Sequence, residues 1–378
     1  MSAWERWFAE QREERERAGL QRALRPRARD EHLIDLAGND YLGLSAHPEV
    51  RRAAAGAALG WGAGAGASRL VTGTTELHAE LERELAEFTG QRAALVLSTG
   101  YHANLSAVTA LAGKDALIVS DAHVHASLID AARLSRASIE VVGHNDVSAV
   151  RAALADTDRR AIVLAESVFS VLGDAAPLAE LAAVCAEHDA LLLVDEAHGL
   201  GVLGPGGRGL VHALGLAGHP NVVVTATLSK ALGAMGGAVL GSPALIDHLT
   251  NRARPFIFDT ALAPAAVAGA QAALRQLRAA PELPGEIHRR AARLADRLVV
   301  PRSAGAVLSV PMPSPGVALA AQAKALAEGV RVGCFRPPSV PDGVSRLRIT
   351  AQAGLDAPSW NRAAEVLARI IDEHRSEQ

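Results

Sequence analysis

One lysine of this chain lies where it could act as a nucleophile. Lys230 follows the apolar run Val222–Val224 and stands among hydroxyl-bearing and small residues. It is one of only three lysines, against 35 arginines, so most surface positions that need a basic side chain have gone to arginine. An arginine cannot form a Schiff base at neutral pH, whereas a partly buried lysine can lose its proton and attack an aldehyde. Lys230 is therefore our candidate for a covalent bond to a carbonyl group.

A carboxylate and an imidazole follow another apolar run. Asp195 comes directly after Leu191–Val194, and His198 follows three residues later. A carboxylate that emerges from a buried strand needs a cationic partner, because burial would otherwise raise its pKa. A protonated pyridine nitrogen would be such a partner, and His198 could then reach an oxygen on the same ring. The structural alternative is that Asp195 caps a helix and His198 is solvated.

Two further strand ends carry weaker signals. After the run Ala94–Leu97, Gly100 and Tyr101 begin a helical stretch, where free backbone N–H groups and the helix dipole suit a phosphate. A glycine turn before a helix is also common without any ligand, so both interpretations stay open. His123 and His125 would share one face of a strand, but the sequence offers no third ligand nearby, and we therefore expect no metal site.

All these residues follow short apolar runs, which predict the sheet that positions them. Near-continuous apolar runs separated by single helices are typical of a mainly parallel sheet covered on both faces, and hence of an α/β fold. Ligands bind such sheets where loops leave the carboxyl ends of the strands. The predicted strands are Ala94–Leu97, Ala116–Val119, Ile139–Val142, Ala161–Leu164, Leu191–Val194 and Val222–Val224.

The length predicts more than one domain. A chain of 378 residues exceeds what one compact core usually holds. Beyond residue 260, Ala-rich helical segments alternate with short strands, as in a smaller α+β domain. We therefore expect an N-terminal helix and arm at residues 1–42, a large domain at 43–263 and a small C-terminal domain at 264–378.

The composition excludes several classes of protein. The 38 basic and 41 acidic side chains nearly balance, so we expect no nucleic-acid partner. Cys185 and Cys334 are the only cysteines and form no CxxC pair, which fits a reducing cytoplasm. Met1–Leu20 is rich in Arg and Glu, so it predicts a surface helix rather than a signal peptide or a membrane span.

A series of motifs runs along nearly the whole chain. They are Asn39–Leu44, Gly62–Gly73, Ser127–Ser135, Val194–Gly199, Thr227–Lys230, Arg254–Phe258 and Arg336–Thr350. Their order and spacing resemble those of the α-oxoamine synthases, fold-type-I enzymes that depend on pyridoxal 5′-phosphate (PLP). Within that family the chain is most similar to the members that act in biotin biosynthesis.

The resemblance implies a role for each matching residue. Lys230 would hold PLP covalently and later move protons, Asp195 would pair with the pyridine nitrogen, and His125 would stack on the ring and contact the substrate. The other cofactor contacts implied are Gly100, Tyr101 and Thr227 at the phosphate, Thr260 at the neighbouring subunit's phosphate, and Ser170 and His198 at the ring oxygen. The substrate contacts implied are Asn39 and Arg348 at the amino-acid carboxylate, and Arg22 and Ser339 at the acyl group.

Arg348 illustrates what the resemblance adds. Arg346 and Arg348 alternate with apolar residues and share one strand face. Two guanidiniums on one face indicate by themselves a solvated surface. Only the resemblance makes Arg348 the predicted carboxylate clamp.

The resemblance also implies a reaction. It is the decarboxylative condensation of L-alanine with a pimeloyl thioester, carried by CoA or by an acyl-carrier protein, in a cytoplasmic homodimer with no membrane partner. A sister activity, with glycine or serine and a different acyl-CoA, stays open. The pairs His123–Val124 and Val171–Leu172 depart from the family's usual residues, and both departures bear on the acyl group.

Two alternatives retain the α/β fold but change the function. One is a nucleotide- or phosphate-binding regulatory protein, which the sequence disfavours because no GxGxxG follows the first strand of the sheet and no Walker lysine is present. The other is a PLP scaffold without activity, which is disfavoured because every cofactor contact implied by the resemblance is present.

Overall fold

The predicted apolar runs all form strands. The structure is a computed structural model and describes residues 1–18, 20–22, 24–337, 339–340 and 342–375. The strands in this part of the chain are β1 (Ile34–Asp35), β2 (Ala93–Leu97), β3 (Ala116–Asp121), β4 (Ser138–Val142), β5 (Arg160–Glu166), β6 (Leu191–Asp195), β7 (Val222–Thr227), β8 (Gly237–Gly241), β9 (Val307–Pro311), β10 (Val330–Arg331), β11 (Gly333–Phe335) and β12 (Arg346–Thr350).

Helices connect these strands and cover them. The α-helices of the described residues are α1 (Ala3–Arg17), α2 (Pro48–Trp61), α3 (Glu76–Thr89), α4 (Gly100–Leu111), α5 (Ala126–Ser135), α6 (Val147–Ala155), α7 (Leu178–Glu187), α8 (Leu210–Ala213), α9 (Pro243–Arg252), α10 (Arg254–Phe258), α11 (Pro264–Ala279), α12 (Leu283–Leu298), α13 (Pro315–Ala327) and α14 (Ala357–Arg375). None of the residues of α1 is buried, which confirms the predicted surface helix. Within the described ranges, no helix is long and apolar enough to cross a bilayer.

The large sheet has seven strands in the order β2-β8-β7-β6-β5-β3-β4. All neighbouring pairs from β7 to β4 are parallel, which confirms the mainly parallel α/β sheet. Strand β8 is antiparallel to both of its neighbours and was not predicted. Its first residue, Gly237, packs against the backbone of Thr99, because a Cβ atom on Gly237 would lie 2.2 Å from the carbonyl oxygen of Thr99.

The sheet is buried on both faces. In β3, Leu117 and Val119 belong to one apolar core, whereas Ala116 and Ile118 belong to the core on the other side. Side chains that alternate between two cores explain why the strands appear in the sequence as continuous apolar runs. The same burial leaves only the strand ends available for polar chemistry.

The C-terminal third builds a second, antiparallel sheet. Its strands lie in the order β11-β12-β9, and β1 pairs with β10, which joins residues 34–35 to this region. In the middle strand β12, Arg346 and Arg348 are only 2% and 4% exposed, so the solvated face that their pattern alone suggested is wrong. The division into domains at residues 42 and 263 stays a prediction.

Candidate active site

A cavity of about 270 Å³ opens at the carboxyl ends of β5, β6 and β7. It brings together seven predicted site residues from four separate segments of the sequence. They are Gly100, Tyr101, His125, Asp195, His198, Thr227 and Lys230. The cavity is also lined by Thr99, Asn104, Ser127, Glu166, Ala197 and Ser229, which we did not assign from the sequence.

Lys230 reaches the cavity from the turn after β7. Its Nζ lies 2.8 Å from Nε2 of His198. Burial lowers the pKa of Lys230 to about 8, although the nearby Asp195 and Glu166 favour the charged form. A lysine with this pKa supplies neutral amine near physiological pH, as Schiff-base formation requires.

His198 connects Lys230 to a buried tyrosine. Its Nδ1 lies 2.7 Å from the hydroxyl of Tyr41, which donates in turn to Oδ1 of Asn39 over 3.1 Å. Burial, with help from the positive charge of Lys230, holds the pKa of His198 well below its usual value, so the ring is neutral. Burial likewise raises the pKa of Tyr41 to about 12, which keeps its hydroxyl protonated.

These protonation states fix the direction of each hydrogen bond. Because Tyr41 donates to Asn39, it accepts from Nδ1–H of His198, and the other ring nitrogen of His198 then accepts from Lys230. We did not identify Tyr41 as a site residue from the sequence, although it lies in the motif Asn39–Leu44.

Asp195 is held by two donors at the end of β6. One oxygen accepts from Nδ2 of Asn104 over 2.7 Å, and the other accepts from the amide of Ala197 over 2.9 Å. Asn104 also donates to Oγ of Ser127 over 2.8 Å. It lies one helical turn after Gly100 on the same face of α4, and this spacing was the signal that could have identified it.

A second carboxyl group stands beside Asp195. Glu166 ends β5 and pairs in register with Asp195 on β6. Burial, together with the charge of Asp195, raises the pKa of Glu166 well above its usual value, so Glu166 is neutral. Its Oε2 accepts from the amide of Ser170 over 3.2 Å. Glu166 also follows an apolar run, but the sequence analysis assigned it no role.

His125 stands at the N-terminus of α5, on the rim of the cavity. Its Nδ1 accepts from the amide of Ser127 over 3.2 Å, so the proton of the neutral ring is on Nε2. Burial lowers the pKa of His125 despite the charge of Asp195. His123, one of the residues that depart from the family's usual pattern, does not line this cavity and stacks on His144 instead.

The N-terminus of α4 forms the far end of the cavity. Oγ1 of Thr99 caps this helix by accepting from the amide of His102 over 3.0 Å. Gly100 and Tyr101 are the first two residues of the helix, so their amides have no acceptor within it. A Cβ on Gly100 would lie 2.9 Å from Cβ of Thr227, which leaves glycine as the residue that fits this approach.

These residues fit PLP. Lys230 offers an amine with a lowered pKa that can react with the aldehyde. Asp195 offers a carboxylate, held in place by two hydrogen-bond donors, that can pair with the pyridine nitrogen. The start of α4, close to the hydroxyl of Thr227, offers amides and a positive helix dipole for the phosphate. All three parts border the same cavity.

Arg348 lies next to this cavity and is almost fully buried. Its Nε donates to the carbonyl of Ser170 over 2.8 Å, and its two terminal nitrogens donate to Oδ1 of Asn39 over 3.1 and 3.2 Å. The guanidinium also lies 5.6 Å from the ring centre of Phe335. Asn39 therefore links Arg348 to Tyr41, and through Tyr41 to His198 and Lys230.

Six predicted residues do not line the Lys230 cavity: Asn39, Ser170 and Arg348, which are linked by hydrogen bonds beside it, and Arg22, Thr260 and Ser339, which lie elsewhere. Arg22 donates to Oγ of Ser339 over 3.0 Å, and both line a separate cavity of about 660 Å³ with Phe335 and Arg336. Thr260 is exposed and forms a β-bridge with Ser68. The assigned roles of these residues stay predictions.

Known proteins match this chain over nearly its full length. The profile of the family described as aminotransferase class I and II matches residues 31–367. A curated 8-amino-7-oxononanoate synthase from Mycobacterium ulcerans is 56% identical over 367 residues, which is 97% of this chain and 94% of the relative.

Solved structures share the fold at lower identity. A serine palmitoyltransferase from S. paucimobilis with bound PLP and myriocin is 29% identical, has a TM-score of 0.91 and covers 100% of both chains. An 8-amino-7-oxononanoate synthase from Francisella tularensis is 26% identical, has a TM-score of 0.77 and covers 91% of this chain and 99% of its own.

Proposed function

The chain belongs to the class I and II aminotransferase family and, within it, to the PLP-dependent acyltransferases called α-oxoamine synthases, and from this premise we propose that it condenses L-alanine with a pimeloyl thioester. The products are 8-amino-7-oxononanoate, CO₂ and the free thiol. PLP is the cofactor of this family, and its fold-type-I architecture is the one described above. The acyl carrier is either CoA or an acyl-carrier protein.

The identity to the curated relatives carries this choice of substrates. The curated 8-amino-7-oxononanoate synthase from Mycobacterium ulcerans is 56% identical to this chain, whereas the serine palmitoyltransferase from S. paucimobilis, which shares the fold, is 29% identical. A common fold hosts several acyl and amino-acid specificities, so the higher sequence identity is the better guide to the substrate.

Lys230 is proposed to move the proton of the reaction. Bound PLP supplies an aldehyde that captures amines and an electron sink for charge that develops at the Cα atom of alanine. With its pKa lowered to about 8, the neutral Nζ of Lys230 would be the base that takes the Cα proton of alanine. His198 accepts a hydrogen bond from Nζ and thereby orients it.

Asp195 is proposed to keep a positive charge on the pyridine nitrogen. The amides of Asn104 and Ala197 hold its carboxylate in one orientation. The neutral Glu166 beside it adds no second negative charge, so the positive charge at the ring is balanced by Asp195 alone. A positive charge kept at the pyridine nitrogen would stabilise the negative charge that develops on the substrate during the reaction.

Arg348 and Asn39 are proposed to bind the carboxylate of alanine. The two terminal nitrogens of Arg348 converge on one amide oxygen, and a carboxylate with two oxygens suits the same pair of donors. Since this carboxylate leaves as CO₂ after condensation, the clamp must hold it in the first half of the reaction and release it in the second.

The acyl group is proposed to bind at Arg22 and Ser339. A pimeloyl chain ends in a second carboxylate, for which the exposed guanidinium of Arg22 is a suitable partner. The 660 Å³ cavity at these residues has the volume of a ligand site.

A homodimer with a two-fold axis completes the proposal. Thr260 does not line the Lys230 cavity of its own chain, and its exposed hydroxyl is available to a second subunit. We propose that Thr260 contacts the phosphate bound in the partner subunit, as the family resemblance implies.

Product identification tests the proposed function. Holoenzyme is incubated with pimeloyl-CoA or pimeloyl-carrier protein and, separately, with alanine, glycine or serine, and products are identified by mass spectrometry. We expect 8-amino-7-oxononanoate from alanine, and no product from the matched Lys230→Ala protein. Faster turnover with glycine or serine and another acyl-CoA would assign the chain to a sister activity instead.

A further inference from the structure

A histidine between two aspartates lies behind the loop that carries Ser170. His144 follows β4, and its Nδ1 lies 3.0 Å from a carboxylate oxygen of Asp121 at the end of β3. Its Nε2 lies 2.8 Å from a carboxylate oxygen of Asp174, which belongs to the loop after β5. The exposed fraction is 19% for the His144 side chain and 40% for that of Asp174, so the histidine is largely buried while the Asp174 end of the contact is open to solvent.

The two carboxylate contacts favour a His144 ring that carries protons on both nitrogens. A neutral imidazole has one N–H donor and would turn a lone pair towards one of the two carboxylates. A doubly protonated ring donates to both. Although burial opposes the charge, the hydrogen bonds to Asp121 and Asp174 raise the pKa of His144 above 6.5.

The neighbours of His144 are consistent with this charge. The ring of His123 stacks on it with centroids 3.9 Å apart, and burial together with the positive charge of His144 lowers the pKa of His123. His123 also faces the carboxylates of Asp121, Asp174 and Asp342. The side-chain amide of Asn145 donates to Asp174 over 3.0 Å, so Asp174 has two donors on one side of the loop.

The loop at residues 169–174 connects this cluster to the clamp Arg348. The amide of Phe169 donates to the carbonyl of Asp174, and the amide of Gly173 donates to the carbonyl of Phe169, each over 2.9 Å. The ring edge of Phe169 also packs on His144 with centroids 4.4 Å apart. Within this closed loop, the carbonyl of Ser170 accepts the 2.8 Å hydrogen bond from Nε of Arg348.

We propose that His144 is a positioning residue, whose doubly protonated ring holds the loop at residues 169–174 so that the carbonyl of Ser170 keeps Arg348 oriented for the amino-acid carboxylate. The inference rests on the proposed function for the role of Arg348. It adds a residue that touches neither substrate nor cofactor and assigns it an effect on amino-acid binding.

The proposal sets the direction of a pH effect. A group whose pKa is raised on folding contributes its full stabilisation at pH values below its pKa in the unfolded chain. This stabilisation is lost as the pH rises through its pKa in the folded protein. The contact between His144 and Asp174 is therefore complete below about pH 6.5 and weakens as His144 loses its second proton at higher pH. Amino-acid affinity should follow the same course.

Two variants separate the charge from the contact. His144→Gln removes the positive charge and keeps at most one donor. Asp174→Asn lets a neutral His144 donate from Nδ1 to Asp121 and accept at Nε2 from the new amide, so that the contact no longer needs the second proton. His248→Gln is the matched control, because His248 is exposed and its Nε2 hydrogen-bonds to the carbonyl of Ala110, away from the loop at residues 169–174.

The first measurement is the dissociation constant of L-alanine for each holoenzyme from pH 6 to 9. We expect His144→Gln to raise it about three- to tenfold at pH 6, as the loss of a charge-assisted hydrogen bond transmitted through a loop would. The ratio of the wild-type to the Asp174→Asn constant should rise with pH, while the control matches the wild type. Ionisable groups that titrate alike in the two proteins change both dissociation constants equally and therefore leave this ratio unchanged.

The second measurement is hydrogen exchange of the peptide at residues 166–176, read by mass spectrometry at one pH. We expect faster exchange in His144→Gln than in the wild type and the control. Unchanged exchange, or unchanged alanine affinity with this exchange increased, would overturn the proposal. If the wild type binds no alanine, the proposed function fails, and the exchange measurement alone decides whether His144 holds the loop.

Discussion

Replacing Arg348 by lysine tests where the amino-acid carboxylate binds. The variant keeps the positive charge of this almost fully buried position but loses the planar fork of donors. In the structure, Nε of Arg348 is occupied by the carbonyl of Ser170, while both terminal nitrogens point to Asn39. A single ammonium group cannot anchor to Ser170 and also offer two parallel hydrogen bonds to a carboxylate.

The magnitude follows from the number of hydrogen bonds lost. A lysine retains the Coulomb attraction and one hydrogen bond, so one charge-assisted hydrogen bond is lost, at about 1–3 kcal/mol. This corresponds to a rise of roughly 5- to 150-fold in the dissociation constant of alanine. Occupancy by PLP should not change, because Arg348 does not line the cavity around Lys230.

Titration of the holoenzyme with L-alanine, followed by the absorbance of the cofactor, measures this constant directly. Arg346→Lys is the matched control, since Arg346 is equally buried on the same face of β12 but pairs with Asp342 and Ser309. The control should bind alanine as the wild type does. If Arg348→Lys leaves alanine affinity unchanged and raises the Michaelis constant of the acyl thioester, the carboxylate has been assigned to the wrong arginine.

Further predictions concern the cofactor, its partners and the assembly. Lys230→Ala should abolish turnover and the borohydride-trapped cofactor label, and a label found at either remaining lysine of the wild type would contradict the assignment. Asp195→Asn should still bind PLP while activity falls at least about 10²-fold, because the charge opposite the pyridine nitrogen is lost; near-normal turnover would refute this role. Tyr41→Phe should lower the free energy of unfolding by about 1–3 kcal/mol, because the buried Nδ1 of His198 loses its partner; an unchanged free energy of unfolding in a denaturant titration would count against it. Analytical ultracentrifugation should find a dimer, and a fully active monomer would exclude the proposed contact of Thr260 with a partner's phosphate.

Local sequence patterns were enough to predict most strands of the large sheet and some of the reactive side chains at its edge. The apolar runs are continuous because both faces of the strands are buried, and the residues after them gather at one edge because parallel strands end there. For this reason Asp195 and Lys230 were found from their neighbours in the sequence alone. Strand β8 was not found, because the glycines at both of its ends resemble turn residues although close packing against Thr99 is what requires Gly237.

The tertiary structure decided which distant residues meet. Tyr41 contacts His198 across 157 positions of the sequence, and Arg348 contacts Asn39 across 309, and neither pairing has a local signature. The alternating pattern of β12 placed Arg348 on one strand face correctly, but its burial depends on distant residues that pack on that face, among them Ser170 and Asn39. The same holds for protonation, since the neutral state of Glu166 follows from burial beside Asp195 on the adjacent strand. Residue types and their order thus indicate the chemistry, whereas distances, burial and charge states arise only when the chain has folded, because they depend on residues far apart in sequence.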